Sequence, residues 1–155
     1  MSGAETPGGS DQKRAAGWGA ILAIALAVPA ALGLETALRA LFLPPELEAL
    51  RQELRPTLTP IAWALLALTA LSIPIGFVTR RAVEARLIAK VDGYGGGEKK
   101  RAEARFEAYF VAASVPQVPA FLATVLLTAG AAPLAVLLTV ALSVTGVLLI
   151  AVRRA

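Results

Sequence analysis

Residues 108–152 read AYFVAASVPQVPAFLATVLLTAGAAPLAVLLTVALSVTGVLLIAV, which is 45 consecutive positions without a charged residue. A helix rises about 1.5 Å per residue, and the hydrocarbon core of a bilayer is about 30 Å thick, so one crossing takes about 20 residues. This stretch is therefore long enough for two crossings. Gly130, Ala131, Ala132 and Pro133 interrupt it near the middle, because glycine tolerates positive φ and proline suits the start of a helix. The stretch predicts a tight helical hairpin.

Two further uncharged stretches cover residues 15–34 and 56–79, and each is long enough for one crossing. The sequence therefore predicts an all-α, polytopic integral membrane protein with four transmembrane helices, over residues 18–38, 57–79, 108–129 and 132–152. Composition agrees, because hydrophobic residues make up 57% of the chain, charged residues 17%, and the mean hydropathy is +0.68. Soluble domains have about 45–50% apolar and about 25% charged residues. For the chain as a whole, this composition excludes a coiled coil, a disordered acidic or basic tail and an ordinary soluble domain with one core.

Cysteine and histidine are both absent from the 155 residues. Disulfides, thiol nucleophiles, imidazole bases and the usual zinc and haem ligands are therefore excluded. No lysine lies within a predicted span to activate a serine, and no acids cluster to hold a metal. We expect no enzymatic activity and assign no catalytic, cofactor-binding or metal-binding residue.

Lysine and arginine are distributed unevenly between the predicted connections. Twelve fall before the first span, between spans 2 and 3, or after span 4, and three fall between spans 1 and 2. By the positive-inside rule, both termini and residues 80–107 are cytoplasmic, which predicts a multi-pass protein of the inner (plasma) membrane. The main topology determinants are Arg80, Arg81, Lys99, Lys100, Arg101, Arg153 and Arg154. The net charge of +4 is then explained by the orientation of the chain in the membrane. We expect membrane lipids as partners and no binding of nucleic acid.

The first span has a second interpretation. Lys13 and Arg14 precede an apolar run that ends in Val28, Pro29 and Ala30, which is also the pattern of a signal peptide cleaved after Ala30. Cleavage would leave three spans. The long, mixed-charge segment before the run and the length of the run favour a retained span.

The connections have distinct compositions. Residues 1–17 are rich in glycine and polar residues and are expected to form a disordered cytoplasmic tail. Residues 39–56 lie outside, and Leu47, Leu50 and Leu54 predict a short amphipathic helix there, bounded by Pro45 and Pro56. Residues 80–107 form a basic cytoplasmic connection in which helical extensions of spans 2 and 3 flank a glycine-rich hinge at residues 92–97.

Small residues recur at every fourth position in the spans and predict close helix contacts, either within the bundle or between subunits. The positions are Gly19, Ala23, Ala27 and Ala31 in span 1; Thr69, Ser72 and Gly76 in span 2; Ala112, Pro116, Ala120, Thr124 and Thr128 in span 3; and Ala135, Thr139 and Ser143 in span 4. No ionisable residue lies near the middle of a span. Glu35 is expected near the outer interface, with Arg39 one turn later as its partner.

The candidate polar intramembrane site comprises Ser114, Pro116, Gln117 and Pro119. Two prolines three positions apart remove two backbone donors and leave carbonyl groups free. The Gln117 amide can satisfy such groups inside the protein, or it can bind a polar guest, and both interpretations remain open.

The segment from Gln117 to Leu122, QVPAFL, opens a run that ends in Val125, Leu126 and Leu127. It resembles the ion-carrying helix of rotary ATPase proteolipids, in which a carboxylate precedes a small or proline-containing apolar run. The resemblance covers one helix. Gln117 stands at the carboxylate position, and the glycine-rich partner helix and the polar Arg-Gln-Pro turn of the family are absent. Since an amide does not exchange a proton near neutral pH, the resemblance implies a hairpin of similar shape without ion transport.

Three functional hypotheses follow. The first is a non-enzymatic accessory or scaffold subunit that associates with other membrane subunits or with itself. The second is a small oligomeric transporter or channel for a neutral solute, with a path lined by Gln117, Ser114, Ser143 and Thr145. The third is a degenerate proteolipid-like hairpin protein.

Overall fold

The computed structural model describes residues 8–42 and 44–152, without the side chains of residues 8–17 and Pro45. The described chain forms four helices: α1 (Gly8–Phe42), α2 (Pro45–Gly93), α3 (Glu98–Ala129) and α4 (Pro133–Val152). No strand occurs in these described ranges. The predicted all-helical fold is confirmed, and all four helices are long and apolar enough to cross a membrane.

Helices α2, α3 and α4 pack against one another, and α1 lies at the periphery of this group. The contact of α2 with α3 is the most extensive, while α1 touches α3 and α4 but not α2 within the described part of the chain. The bundle has two ends. The hairpin end carries the α1–α2 connection and the α3–α4 turn (residues 130–132), and the loop end carries the α2–α3 turn (residues 94–97).

The small residues of α2, α3 and α4 form the interior of the bundle. Those predicted in spans 2, 3 and 4 are buried, except for Thr128, which is exposed. A Cβ added at Gly76 would lie 3.2 Å from the Ala112 carbonyl oxygen, so glycine permits α2 and α3 to approach closely here. At Gly146 an added Cβ would lie 2.7 Å from the Ile73 side chain. The predicted faces of these three helices are helix contacts.

Helix α1 packs through a different face from the predicted one. Gly19, Ala23 and Ala27 are exposed and Ala31 is half-buried, whereas Ala25 and Val28 are buried against α3 and α4. Spacing identifies small residues but does not tell which side of a helix meets its neighbours. Within the chain, the predicted stripe of α1 is therefore not the contact face, and as a seam between subunits it stays a prediction.

Two segments are helical where the sequence predicted a disordered tail or the end of a helix. Residues 8–17 belong to α1 where a disordered tail was expected; extension of an existing helix costs much less than starting one. Residues 1–7 lie outside the described residues. Likewise, Pro56 lies inside α2 and does not end the amphipathic helix. Proline removes only the bond to the Gln52 carbonyl, and Gln52 is exposed, so water can satisfy that group.

At the loop end, α2 runs beyond residue 79 to Gly93, and α3 begins at Glu98. The turn between them is hydrogen-bonded: the Gly96 amide donates to the Val91 carbonyl at 2.9 Å, and the Gly95 amide donates to the Asp92 carbonyl at 3.1 Å. Arg101 and Asp92 form an ion pair of 2.8 Å across it. These contacts close the glycine-rich segment into a defined turn.

The predicted fold-back of the hairpin is confirmed at Gly130, which has a φ of +114°. The Gly130 amide donates to the Leu127 carbonyl at 3.1 Å, and the Ala131 amide donates to the Leu126 carbonyl at 2.9 Å. Both bonds satisfy carbonyl groups at the end of α3. An added Cβ at Gly130 would collide with the backbone of Arg51, so the turn lies directly against α2.

We predict that Gly130→Ala destabilises the protein. The left-handed backbone alone costs a residue with a Cβ about 1–2 kcal/mol, and the collision with Arg51 adds to this. Thermal unfolding in detergent, followed by circular dichroism, measures the effect. Gly33→Ala is the control, because Gly33 is helical and open, and it should leave the midpoint unchanged or raise it. Equal midpoints for the two variants would contradict the account.

Candidate functional site: two arginine clasps and a glutamine tie

The four residues of the predicted polar site do not face a common cavity. Pro116 and Pro119 are buried, whereas Ser114 is exposed and donates to the Val111 carbonyl of its own helix at 2.7 Å. Half-buried Gln117 points to α1, and its Nε2 donates to the Ile24 carbonyl at 2.5 Å. The Gln117 amide thus ties α3 to α1, and binding of a polar guest stays a prediction.

Prolines surround this tie on both helices. Pro29 lies inside α1, so the Ala25 carbonyl, next to Ile24, lacks its usual helical donor. In α3, Pro116 likewise leaves the Ala112 carbonyl without its usual donor. That carbonyl is the one that faces Gly76 across the α2–α3 contact. The glutamine tie and the close α2–α3 contact are therefore next to positions where proline interrupts the helical hydrogen-bond ladder.

Hydroxyl groups within the bundle bond to their own helices. Thr69 donates to the Leu65 carbonyl at 2.8 Å, and Thr139 donates to the Ala135 carbonyl at 2.7 Å. Ser72, Thr124 and Thr145 follow the same pattern over three or four residues. Bonding to a preceding turn is the usual way for a hydroxyl donor to be satisfied in an apolar surrounding. These donors are therefore satisfied within their own helices.

A single arginine of α2 holds the hairpin end together. Arg51 Nε donates to the Thr128 carbonyl and Arg51 Nη2 to the Leu127 carbonyl, each at 2.8 Å. Its Nη1 pairs with Glu48 at 2.8 Å, and the Arg51 side chain is only 12% exposed. We call this arrangement the Arg51 clasp. It neutralises the negative end of the α3 dipole, and the Ala132 amide adds a bond of 3.3 Å to Thr59 Oγ1.

Arg80 forms the matching contact at the loop end. Its Nη1 donates to the carbonyl of Ile150 in the last turn of α4. Glu84 forms ion pairs with two arginines, its Oε2 lying 4.0 Å from Arg80 Nε and its Oε1 lying 3.4 Å from Arg105 Nε. We call this arrangement the Arg80 clasp. The predicted topology determinant Arg80 is thus also a structural contact between α2 and α4.

The remaining topology determinants make few contacts within the described chain. Arg81, Lys99 and Lys100 are exposed, and Arg101 pairs with Asp92 in the loop-end turn. Arg153 and Arg154 lie outside the described residues. The four described positions form no common site with Gln117, whose amide bonds to α1.

Sequence reasoning missed both clasps and expected one ion pair that does not form. No basic residue lies in the last turn of α3 or of α4, which was the available signal that their terminal carbonyls need an arginine from elsewhere. Glu35 and Arg39 are not within ion-pair distance, and Glu35 Oε1 is buried without a hydrogen-bond partner in the described part of the chain. One-turn spacing permits such a pair but does not enforce it.

An open cleft lies beside the Arg51 clasp at the hairpin end. It has a volume of about 780 Å³. Its lining comprises Thr36, Arg39, Ala40, Pro44, Glu48, Arg51, Gln52, Arg55, Gly130, Ala131 and Pro133. We call it the arginine cleft. Within the described ranges, no group of three or more acidic, histidine or cysteine side chains is arranged to hold a metal ion.

Comparison with protein families, with curated proteins and with solved structures finds no match for this chain. Its function therefore has to be argued from the geometry.

We predict that Arg51→Gln loosens the hairpin end and lowers the free energy of unfolding by about 3 kcal/mol or more, since it removes two bonds to a charged donor that are each worth about 1.5–3 kcal/mol. Chemical unfolding in neutral detergent measures this. Arg55→Gln, one turn further along α2 and exposed, is the matched control and should change stability by less than about 0.5 kcal/mol. A loss in the control as large as in Arg51→Gln would show that charge alone, and not the clasp, matters.

Proposed function

We propose that the chain is a multi-pass protein of the inner (plasma) membrane with both termini in the cytoplasm. We further propose that it serves as a non-enzymatic accessory or scaffold subunit, which assembles with other membrane subunits or with a second copy through α1. The charge asymmetry of the connections supports the orientation. The loop end then faces the cytoplasm, and the hairpin end faces outside.

The open face of α1 is the observation that carries this proposal. Only 17% of the apolar stretch of α1 is buried, against 22% in α2, 44% in α3 and 50% in α4, and α1 is the helix whose small residues lie on the exposed side. Its buried residues form a narrow seam, while Gly19, Ala23 and Ala27 remain exposed on the other side. An added Cβ at Gly19 would meet no atom within 4 Å. Such a face allows a second helix to approach closely in lipid, where packing drives association.

The interior of the bundle favours this function over transport. A path for a neutral solute needs polar groups that face water, but the Gln117 amide nitrogen bonds to α1, and Thr69 and Thr139 bond within their own helices. Ser114 and Thr145 are exposed on the outside of the bundle. A proteolipid-like hairpin is less well supported than a scaffold, because α2 packs against both α3 and α4.

Cysteine crosslinking in native membranes tests the proposal, because the chain has no cysteine of its own. We predict that Ala27→Cys, on the open face of α1, gives a crosslinked product of defined mass, either a disulfide dimer or, with a thiol-reactive photo-crosslinker, an adduct with another subunit. Ala141→Cys is the matched control: it is an exposed alanine near the middle of α4 and should give no defined product.

Equal crosslinking of the two variants, or a lone monomer in both after gentle extraction, would contradict assembly through α1. Solute flux in reconstituted vesicles that disappears in Gln117→Leu would instead support a transporter.

A further inference from the structure

The arginine cleft is positively charged because its basic residues exceed its acids. Three arginines line it, and its one acid, Glu48, pairs with Arg51 in the clasp. Arg39 and Arg55 form no ion pair with any acid in the described part of the chain. Two uncompensated guanidinium groups therefore face one cavity.

Backbone groups add to this potential. Helices α2 and α4 both begin at the cleft, since Pro44 precedes α2 and Pro133 opens α4, and both residues line it. Helix N-termini carry partial positive charge and unpaired amides, and no side chain caps the N-terminus of α2. The negative C-terminus of α3 is covered by Arg51. Glu46 and Glu48 in the first turn of α2 offset part of its dipole, whereas the first turn of α4 carries no acid. The cleft therefore combines cationic side chains with the N-terminus of α4, which is the chemistry that recognises phosphate.

The position of the cleft along the membrane normal indicates the source of a bound phosphate. Arg51 and Arg80 are 29 residues apart on α2, or about 44 Å at about 1.5 Å per residue, which matches a bilayer of about 40–45 Å including headgroups. The Arg51 clasp, which adjoins the cleft, then lies at headgroup level. Beside it, Leu41 and Phe42 are 76% and 75% exposed, and Leu134 at the start of α4 is also exposed. Acyl chains can cover these side chains while a headgroup occupies the cleft.

We propose that the arginine cleft binds the phosphate of an anionic glycerophospholipid, with Arg39 and Arg55 as its main ligands. Arginine forms paired hydrogen bonds to phosphate oxygens, and the Gln52 amide supplies a neutral donor in the same cleft. A volume of about 780 Å³ lies in the range of small-molecule sites and accommodates a headgroup. This inference rests on the proposal that the chain spans a membrane, and it does not depend on assembly through α1.

Native mass spectrometry of the full chain, released from nanodiscs, tests the proposal. The nanodiscs contain phosphatidylcholine with a small fraction of phosphatidylglycerol. We expect retention of phosphatidylglycerol over phosphatidylcholine, and a loss of roughly 30-fold in that preference in the Arg39→Gln/Arg55→Gln variant, since each arginine near a membrane surface contributes about one kcal/mol. Arg81→Gln/Arg86→Gln is the control, because it removes the same charge from exposed positions towards the loop end and should retain the preference.

Competition with inorganic phosphate, and binding of inorganic phosphate alone, distinguish a lipid site from a site for a free anion. Inorganic phosphate in excess should not displace the lipid, whereas binding of inorganic phosphate without lipid preference would overturn a lipid site in favour of a free anion. An equal loss in both double variants, or no preference in the unaltered chain, would also overturn the proposal.

Incorporation into nanodiscs and the helical circular dichroism signal are scored separately. A chain that does not insert refutes the membrane proposal, and a chain that inserts but does not retain phosphatidylglycerol refutes this inference alone. If the double variant loses its helical signal, Arg55→Gln alone, at an exposed position, should still weaken retention.

Discussion

The fold depends on one long helix that clasps its neighbours at both ends. From α2, Arg51 donates to the terminal carbonyls of α3 at the hairpin end, and Arg80 donates to the last turn of α4 at the loop end. Carbonyls at a helix end have no partners within the helix, and an unsatisfied carbonyl is costly near lipid. Because both arginines belong to the same helix, their separation sets the positions at which α3 and α4 end. The two clasps therefore define the length of the bundle along α2.

The spacing of the two clasps matches the thickness of a bilayer, which is the basis of the proposed position in a membrane. Between Arg51 and Arg80, α2 contains no other charged residue except Glu53 and Arg55, close to its hairpin end. Proline in this segment leaves α2 continuous, since each proline removes one hydrogen bond and the close α2–α3 packing compensates for the loss. In the interior of the bundle, the hydroxyl groups of Thr69 and Thr139 and the amide of Gln117 also donate to backbone carbonyls. Apart from Glu35 Oε1 and the Tyr109 hydroxyl, which are buried without a hydrogen-bond partner in the described part of the chain, the bundle satisfies its buried polar side chains internally.

Much of this architecture could be predicted from the sequence, because lipid constrains helix length and charge placement. Charge-free stretches predicted four helices, Gly130 and Pro133 predicted the hairpin, and small residues predicted the contacts of α2, α3 and α4. The remainder depends on which side of each helix faces another. Spacing does not tell whether Ala23 or Ala25 faces the bundle, nor that Gln117 reaches the Ile24 carbonyl 93 positions earlier. Arg51 was assigned to a surface helix because the continuity of α2 through Pro56 was not foreseen.

The depth of α2 in a bilayer tests the central claim most directly. Spin labels at Leu47, Leu68 and Ala85, which are exposed before, between and beyond the two clasps, report contact with oxygen in lipid and with a nickel chelate in water. The account predicts that the label at Leu68 has the highest oxygen and the lowest nickel accessibility, and that the labels at Leu47 and Ala85 contact the chelate. Equal nickel accessibility at all three positions, or deeper burial of a flanking label than of Leu68, would contradict a helix whose two arginines mark the membrane boundaries.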